Sequence, residues 1–311
     1  MITTVALNPA VDKIYFIEDF KSGKMFRAGE PVKSAGGKGI NVARVVKILD
    51  EKVLTTGFKG GQEGDWIENQ MTDLGVSVNF VEVKGETRTN INIIDKKNKT
   101  ETEILEKGFS VTSKDLDKFL INFNEIIKCT EVLVLSGGLP NGCPKDFYAL
   151  IIENAKQENI PVILDTSGEV LKEGAKAKPY MIKPNIRELQ ILAAKKIDTV
   201  DLILKVCGEI IADGIKVVIV SLGEKGAVLV TEKEAFLAEV PDIEVINTVG
   251  SGDSLVAGFA TGLKKGYSLK EALRLAMACG VNNAQYINVG MVDRQEVYEL
   301  TKGINIKKLS T

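Results

Sequence analysis

An alternation of short apolar runs with helical patterns after residue 110 constrains the fold more than any other feature. The apolar runs end in glycine or polar residues and occupy 131–135, 161–165, 180–183 and 216–220. The helical patterns lie around them, at about 113–128, 144–157, 186–195 and 199–213. Apolar, β-branched runs separated by helices predict a parallel sheet with helices on both faces. The expected fold class is therefore α/β, with a doubly wound, mainly parallel sheet whose ligands bind beyond the carboxyl ends of the strands.

The first third of the chain breaks this rhythm. Alternating polar and apolar residues in about 10–33 and 88–109 predict half-exposed strands instead of helices. We expect these two insertions to pair into a small β-sheet that stands off the main domain as a lid. Residues 1–311 would then form one domain that carries this lid.

Composition excludes several classes of protein. The sequence has no histidine, which removes Ser-His-Asp and Cys-His catalysis as well as histidine metal sites. A net charge of −2 argues against a protein held on nucleic acid by a global positive field. No apolar run approaches the ~20 residues that cross a bilayer. Residues 1–9 have the pattern of a first strand, not of a signal peptide, so we expect a cytoplasmic protein without a membrane or nucleic-acid partner.

The most informative segment, 247–254, reads Asn-Thr-Val-Gly-Ser-Gly-Asp-Ser and precedes an apolar helix. Gly250 and Gly252 allow backbone N–H groups to point outward at a helix N-terminus, where the helix dipole favours an anion. Asp253 lies in the first turn of that helix. An anion site that contains a carboxylate suits phosphoryl transfer, because the carboxylate can take the proton of the acceptor hydroxyl. The alternative is that Asp253 only caps the helix.

A second glycine-rich segment, 35–43, opens another helix and places Lys38 and Asn41 near its start. A hydroxylated or phosphorylated ligand could lie there against bare backbone. The segment is not a Walker A loop, because no Gly-Lys-Ser/Thr follows four spacer residues. The alternative is an ordinary structural turn.

Two segments at strand ends could serve a nucleotide. Asn185 and Glu188 are three residues apart and share a helix face, so their oxygens could hold a hydrated Mg²⁺. The alternative is a reciprocal helix cap between the same two side chains. Gly223 and Gly226 would allow a nucleotide to approach the loop 221–227, or would only form a β-turn.

In this order the segments resemble the PfkB, or ribokinase-like, family of sugar kinases over essentially the full chain. The motifs that carry the resemblance are Asn8-Pro9-Ala10-Val11-Asp12, Gly36-Gly37-Lys38-Gly39-Ile40-Asn41, Lys183-Pro184-Asn185-x-x-Glu188 and Gly250-Ser251-Gly252-Asp253. Lys38 and the segments 84–88 and 102–105 are most similar to the branch that phosphorylates hexose phosphates. That branch contains the 1-phosphofructokinases and the tagatose-6-phosphate kinases.

The resemblance implies a role for each matching position. Asp253 would deprotonate the sugar hydroxyl beside an anion hole formed by Gly250, Ser251 and Gly252. Ser251 stands where the family usually has alanine, a small change that should leave the backbone donors in place. The residues that would bind sugar hydroxyls are Asp12, Gly37 and Asn41. The residues that would meet the phosphate already on the substrate are Lys38 and Arg88, with Lys24 or Arg27 from the lid.

The resemblance also implies a nucleotide side of the site, with ATP and Mg²⁺ as cofactors. Asn185 and Glu188 would organise Mg²⁺-ATP, and Lys183 could reach its phosphates. The residues that would line the nucleotide site are Ser221, Gly223 and Gly226.

The function implied is ATP-dependent phosphorylation of a ketohexose phosphate to the bisphosphate. Ala35, Ser251 and the segment 102–106 favour tagatose 6-phosphate, which would become tagatose 1,6-bisphosphate. The segments 165–169 and 39–41 favour fructose 1-phosphate, which would become fructose 1,6-bisphosphate. Tagatose 6-phosphate is the first hypothesis and fructose 1-phosphate the alternative, while fructose 6-phosphate stays open.

Two other classes of function are weaker hypotheses. A nicotinamide oxidoreductase would carry Gly-x-Gly-x-x-Gly after the first strand, whereas residues 8–12 read Asn-Pro-Ala-Val-Asp. A non-catalytic sugar-phosphate sensor on the same fold would be expected to lack Asp253, which is present.

The lid also suggests a partner. Strands exposed on both sides need a surface that covers their apolar residues, such as Ile14, Phe16, Ile91 and Ile93. We therefore expect a homodimer formed through the lids, with a small sugar phosphate and ATP as the other partners.

Overall fold

A computed structural model describes residues 1–310. The strands are β1 (Ile2–Ala6), β2 (Ala10–Phe16), β3 (Val32–Gly36), β4 (Val53–Lys59), β5 (Ser77–Glu82), β6 (Arg88–Asp95), β7 (Thr100–Leu105), β8 (Val132–Ser136), β9 (Val162–Asp165), β10 (Met181–Ile182), β11 (Val217–Ser221), β12 (Ala227–Val230), β13 (Ala235–Ala238) and β14 (Ile306–Leu309). The helices are α1 (Lys38–Ile48), α2 (Gly61–Asp73), α3 (Ser113–Ile126), α4 (Phe147–Gln157), α5 (Gly168–Lys176), α6 (Ile186–Ala193), α7 (Val200–Ala212), α8 (Ser251–Lys264), α9 (Leu269–Asn283) and α10 (Arg294–Gly303).

The main sheet has ten strands in the order β14-β13-β12-β11-β10-β9-β8-β1-β4-β5. From β11 to β5 every neighbouring pair is parallel, which confirms the predicted doubly wound, mainly parallel architecture. From β11 to β14 the pairs are antiparallel. This antiparallel edge was not predicted from the sequence. The link 231–234 between β12 and β13 is too short for a parallel crossover.

Apolar cores lie on both faces of the main sheet, as alternation along a buried strand requires. In β1, Ile2 and Ala6 belong to one core, which includes residues of α1, α8 and α9. Val5, from the same strand, belongs to the opposite core, which includes residues of α3, α4 and α7. The nine-residue helix α5 was not among the predicted helical patterns. Only Leu171 and Gly174 are buried in it, so its apolar pattern is short.

Helices α8 and α9 pack with their backbones in close approach. A Cβ atom at Gly258 would lie 2.7 Å from Ala276 Cα. A Cβ atom at Gly262 would lie 2.8 Å from Ala272 Cα. Both glycines are therefore required by the contact between the two helices, and not by helix propensity, which disfavours glycine.

The predicted lid is a separate four-stranded sheet in the order β3-β2-β6-β7. Strands β2 and β6 pair in parallel, from Ala10 opposite Arg88 to Phe16 opposite Ile94, and the outer pairs are antiparallel. Helix α2 packs against the lid through Glu63, which forms ion pairs with Lys13 (3.1 Å) and Lys33 (2.8 Å).

The lid residues proposed to need a covering partner differ in exposure. Ile14 is 2% exposed and Ile93 is 9% exposed, so both are already covered within one chain. Phe16 remains 38% exposed. The expectation was therefore wrong for Ile14 and Ile93, because strand alternation does not reveal which lid positions the rest of the chain covers.

Among residues 1–310, no helix is both long and apolar enough to cross a membrane.

Candidate active site

A cleft of about 480 Å³ lies between the lid and the carboxyl edge of the main sheet. Parallel strands bring their carboxyl ends to one edge, so Asp165 at the end of β9, Lys183 after β10 and Ser221 at the end of β11 lie near one another. The N-termini of α1 and α8 face the same cleft with Lys38 and Asp253. The fold thus brings together residues that are far apart in the sequence.

Asp253 is buried, with 6% of its surface exposed. Its Oδ2 accepts a 2.8 Å hydrogen bond from Asn41 Nδ2. Burial is the largest influence and raises the pKa of Asp253 to about 6, while the Lys38 charge opposes the rise and the Asp165 carboxylate adds to it. A carboxylate with such a pKa is ionised at neutral pH and basic enough to accept a proton. The alternative of a simple cap is disfavoured, because Gly250 is the N-cap residue and α8 has no side-chain cap.

Asp165 is fully buried and lies between two lysines. Its Oδ2 is 3.0 Å from Lys38 Nζ, and its Oδ1 is 3.2 Å from Lys183 Nζ. Burial alone would raise the pKa of Asp165, but the charges of Lys183 and Lys38 outweigh it and hold the pKa below its ordinary value. One carboxylate therefore fixes two cations at the cleft, which leaves a net positive charge beside Asp253.

The first turn of α8 is the segment in which the anion hole was predicted. Gly250 adopts φ 83°, and α8 starts at Ser251, so the amides of Gly252 and Asp253 lie in the open first turn. Buried Asn283 on α9 braces this turn by donating to Val249 O (2.9 Å) and to Ser251 Oγ (3.2 Å). The serine at position 251 thus gains a hydrogen bond that alanine would not make.

The lid supplies polar side chains to the opposite wall of the cleft. Asp12 Oδ1 accepts a 2.8 Å hydrogen bond from Asn90 Nδ2. Burial is the main cause that raises the pKa of Asp12, against the hydrogen bond from Asn90 and the charge of Arg88. Asp12 and Gly37 therefore line the cleft, as the sequence predicts. Asn41 lines it too, although its amide is already engaged with Asp253.

Arg88 and Lys38 both border a smaller recess of about 150 Å³ at the N-terminus of α1. Arg88 donates through Nε (3.3 Å) and Nη2 (3.2 Å) to the backbone oxygen of Asn8, and through Nη1 to Asn90 Oδ1 (3.3 Å). The recess is also lined by the backbone of Gly37 and Gly137. Two cations beside a helix N-terminus make a recess of this size suitable for a phosphate group.

A second pocket, of about 380 Å³, adjoins the cleft. Its lining is mainly apolar and includes Val240, Ile243, Val245, Met277 and Val281. The predicted residues Gly223 and Gly226 lie in it, while Ser221 and Gly252 border both spaces. The first turn of α8 therefore lies at the junction of a charged cleft and an apolar pocket.

Asn185 and Glu188 form a reciprocal cap at the start of α6. Asn185 Oδ1 accepts from the Glu188 N–H (2.9 Å), and Glu188 Oε2 accepts from the Asn185 N–H (2.9 Å). This is the alternative stated from the sequence, and it leaves Glu188 Oε1 outside the cap. No cluster of three or more carboxylate, cysteine or histidine side chains suited to a metal occurs among residues 1–310. The metal role of this pair stays a prediction.

Lys24 and Arg27 do not lie at the cleft. Both are exposed, in the loop 17–31 that follows the end of β2 farther from the site. The seven residues from Ala10 to Phe16 span about 20 Å of extended strand. The sequence showed that these cations belong to the lid, but not that the carboxyl end of β2 points away from the cleft, so the structure corrects their placement within one chain.

Several site residues were not identified from the sequence. Asp165 ends a buried strand, which could have marked it, but its pairing with two lysines depends on the fold. Asn90 follows Arg88 by two residues and therefore shares its face of β6. Arg44 lies one turn after Asn41 on α1, and only this spacing could have indicated it. Nothing in the local sequence indicated Asn283.

Comparisons with known proteins agree with this architecture. The model of the pfkB family of carbohydrate kinases matches residues 3–293. The tagatose-6-phosphate kinase of Staphylococcus epidermidis is 38% identical over 98% of this chain and 99% of that protein. The 1-phosphofructokinase of Bacillus subtilis is 38% identical over 90% of this chain and 91% of that protein. The structure of the tetrameric inhibited form of phosphofructokinase-2 from Escherichia coli has a TM-score of 0.90 and 27% identity, with 97% of this chain and 98% of that chain covered.

These similarities confirm the resemblance that the four sequence motifs indicated. The family model covers nearly all of the chain, the relatives match along their whole lengths, and the related structure has the same ribokinase-like fold. The chain belongs to the pfkB family of carbohydrate kinases.

Proposed function

We propose that this protein transfers the γ-phosphoryl group of ATP to a hydroxyl group of a ketohexose phosphate. The observation that carries the proposal is the position of Asp253, which lines the charged cleft and directly follows Gly252, a residue that borders both the cleft and the apolar pocket. The apolar pocket suits a nucleotide base, and the charged cleft under the lid suits a sugar phosphate. The anion hole of α8 lies where the two spaces meet, which is where a phosphoryl group would pass from one substrate to the other.

In this mechanism Asp253 is the general base. Its carboxylate takes the proton of the sugar hydroxyl while the hydroxyl oxygen bonds to the γ-phosphorus. The bond from that phosphorus to the oxygen bridging the β- and γ-phosphates breaks, and ADP leaves. The amides of Gly252 and Asp253 stabilise the negative charge on the transferred group, and the ammonium groups of Lys38 and Lys183 lie close enough to assist.

Mg²⁺ fits the site only as an ion shared with the nucleotide. Glu188 Oε1 is outside the cap, and no cage of acidic side chains occurs in the described chain, so the protein would supply few ligands. Mg²⁺ commonly keeps several waters and shares substrate phosphates in this manner. We propose that Glu188, with Asn185 beside it, holds the ion, which neutralises charge on the nucleotide phosphates.

Arg88 and Lys38 support a substrate that already carries a phosphate. They border the recess at the start of α1, and Arg88 forms no ion pair within the described chain. A neutral sugar would have no use for two cations and a helix N-terminus in one recess. We propose that this recess binds the phosphate that is present before the reaction.

The identity of the ketohexose rests on sequence features alone. A tagatose-6-phosphate kinase and a 1-phosphofructokinase are equally similar to the chain, at 38% identity. We retain tagatose 6-phosphate as the proposed substrate and fructose 1-phosphate as the alternative.

The proposed dimer is supported by exposed apolar residues that remain on the lid. Phe16 (38%), Met25 (87%), Ile104 (52%) and Leu105 (61%) are all exposed in the single chain. Strand β7, which carries two of them, is an edge of the lid sheet and presents unpaired backbone groups. The related phosphofructokinase-2 is described as tetrameric in its inhibited form, so lid-to-lid association is compatible with larger assemblies.

The substrate prediction is tested by ADP release with tagatose 6-phosphate, fructose 1-phosphate and fructose 6-phosphate. We expect turnover with the first or the second, with the highest kcat/KM for tagatose 6-phosphate. Binding of a sugar phosphate without release of ADP from any of the three would instead support the non-catalytic sensor.

The second prediction concerns the base. We expect Asp253→Asn to lower kcat roughly 10²- to 10⁴-fold while ATP still binds, because a general base contributes about that much. With a pKa raised to about 6, wild-type kcat/KM should decline as the pH falls below that value, because the carboxylate then becomes protonated.

Asp73→Asn, an exposed carboxylate at the end of α2, is the matched control and should keep wild-type kinetics. If Asp253→Asn keeps more than about a third of the wild-type kcat, Asp253 is not the general base.

The third prediction concerns Arg88→Ala. Loss of a charge-assisted hydrogen bond costs roughly 1.5–3 kcal/mol, so KM for the sugar phosphate should rise about 10- to 150-fold. Because this contact is the same in ground and transition states, kcat and KM for ATP should change little. Arg88→Lys should not restore binding, since an ammonium cannot replace the fork of a guanidinium.

Steady-state kinetics with both substrates, and with the unphosphorylated ketohexose, measure this effect. Arg294→Ala removes an exposed arginine from α10 and serves as the control. If Arg88→Ala changes KM for the sugar phosphate and KM for ATP equally, or changes neither, the phosphate-binding assignment is refuted.

The fourth prediction is a solution mass of twice the 33.7 kDa of one chain at micromolar concentration, measured by light scattering. Leu105→Glu should shift the mass toward one chain, because it places a charge on the apolar lid surface. A wild-type mass of a single chain would exclude the proposed dimer.

A further inference from the structure

Arg44 has no part in the mechanism above, yet its guanidinium donates hydrogen bonds to three different residues near the cleft. Its Nη1 donates to Asn41 Oδ1 (3.1 Å) and to the backbone oxygen of Val289 (2.9 Å). Its Nη2 donates to the backbone oxygen of Ala35. The three acceptors belong to α1, to the end of β3 in the lid sheet, and to the loop between α9 and α10. A single guanidinium therefore ties together three segments that meet beside Asp253.

The loop that contains Val289 also contacts Gly250, the N-cap residue of α8. A Cβ atom at Gly290 would lie 3.0 Å from Arg44 Nη1 and 2.9 Å from Asn41 Cβ. A Cβ atom at Gly250 would lie 2.7 Å from the Gly290 nitrogen. Arg44, Gly290 and Gly250 are thus packed without room for another atom, which holds the guanidinium in place beside Asn41.

Arg44 also determines which way the Asn41 amide faces. Because the Asn41 Oδ1 accepts from Arg44, its Nδ2 is the group that faces Asp253 and donates to Oδ2. The reversed amide would place Oδ1 against the carboxylate and Nδ2 against the guanidinium. Two hydrogen-bond acceptors would then meet at one end of the amide and two donors at the other. Only the observed orientation restrains the Asp253 carboxylate by a hydrogen bond. It leaves Oδ1 of Asp253 without a hydrogen bond from residues 1–310.

We propose that Arg44 is a positioning residue for the phosphoryl transfer, which orients Asp253 through the Asn41 amide and fixes that pair to the lid strand β3. The inference rests on the proposed function, because it assigns Arg44 to the same general base. Arg44 would touch neither substrate nor nucleotide. Its effect is to keep the Oδ1 atom of Asp253 available and correctly placed for the hydroxyl proton.

The positive charge of Arg44 favours the ionised form of Asp253, in addition to the positioning effect of its hydrogen bonds. The charged groups that face Asp253 are Lys38 from α1, Asp165 from β9 and Lys183 after β10. Arg44 interacts first with the charge of Asp12 from the lid and then with that of Asp253. Burial lowers the pKa of Arg44 to about 10, so the guanidinium stays charged at neutral pH. Removing this cation disfavours the ionised carboxylate, so the pKa of Asp253 should rise and the acid limb of kcat/KM should move to higher pH.

The first test compares Arg44→Gln, Arg44→Lys and the control Lys47→Gln, which exchanges a cation for an amide one turn later on α1. We expect Arg44→Gln to lower kcat roughly 10- to 100-fold, because a displacement of about 1 Å at a reacting group has effects of that size. KM for ATP should stay within about twofold, since no contact to the nucleotide changes. Arg44→Lys should lose kcat without the shift of the acid limb, because it keeps the charge but not the three hydrogen bonds. Lys47→Gln should match the wild type.

The second test is a double-mutant cycle with Asn41→Ala. If Arg44 acts through Asn41, Arg44→Gln should have little further effect on kcat once the amide is gone. Independent, multiplying effects of the two substitutions would overturn the proposal, as would a kcat of Arg44→Gln equal to that of the wild type. If Arg44→Gln does not fold, the same cycle is measured with Arg44→Lys.

The proposed function is tested separately, because the wild-type protein either releases ADP with a ketohexose phosphate or does not. If the wild type turns over and the Arg44 variants have the same kcat, the proposed function stands and only the positioning role is refuted. Absence of wild-type turnover would refute the proposed function itself, and with it the role assigned to Arg44.

Discussion

The site is organised around one buried carboxylate, Asp165, which is shared by Lys38 and Lys183. Burying an ion is expensive unless its charge is paired and its oxygens are engaged. Here each oxygen of Asp165 faces a different ammonium group, at 3.0 Å and 3.2 Å. Lys38 begins α1 and Lys183 follows β10, so this contact joins the first helix of the chain to the end of β10. Because Asp165 lies at the carboxyl edge of the sheet, it holds the ammonium groups of Lys38 and Lys183 at that edge.

The same arrangement sets the basicity of Asp253. Burial pushes the pKa of this carboxyl upward, and the neighbouring Asp165 adds to the rise, whereas Lys38 opposes it. The resulting pKa of about 6 is higher than that of an exposed carboxyl and close to the pKa of a histidine side chain. In a sequence without histidine, burial and neighbouring charges perform this adjustment.

Much of this could be predicted from the sequence because it depends on local pattern. Alternating apolar runs and helices specified the parallel sheet, and the sheet in turn specified the edge at which Lys183, Ser221 and Asp253 meet. The elements that were missed depend on contacts distant in sequence. Arg44 reaches Val289 across 245 residues, and no local pattern indicates such a partner. Lys24 and Arg27 were assigned to the lid, and their loop follows the carboxyl end of β2. That this end points away from the cleft depends on how the lid packs on the main domain, which no local pattern reveals.

The close packing of α8 on α9 has a consequence for which substitutions affect the reaction. Gly258 and Gly262 lie six and ten residues after Gly252, or about 9 and 15 Å along the helix axis. Each faces a backbone atom of α9 with no space for a methyl group. Because a helix moves as a rod, a side chain added at either glycine would displace the whole of α8 and shift its first turn with it. Natural variation at these two remote positions should therefore be interpreted together with that of residues 250–253, since a change there would shift the first turn of α8 at the cleft as well as lower thermal stability.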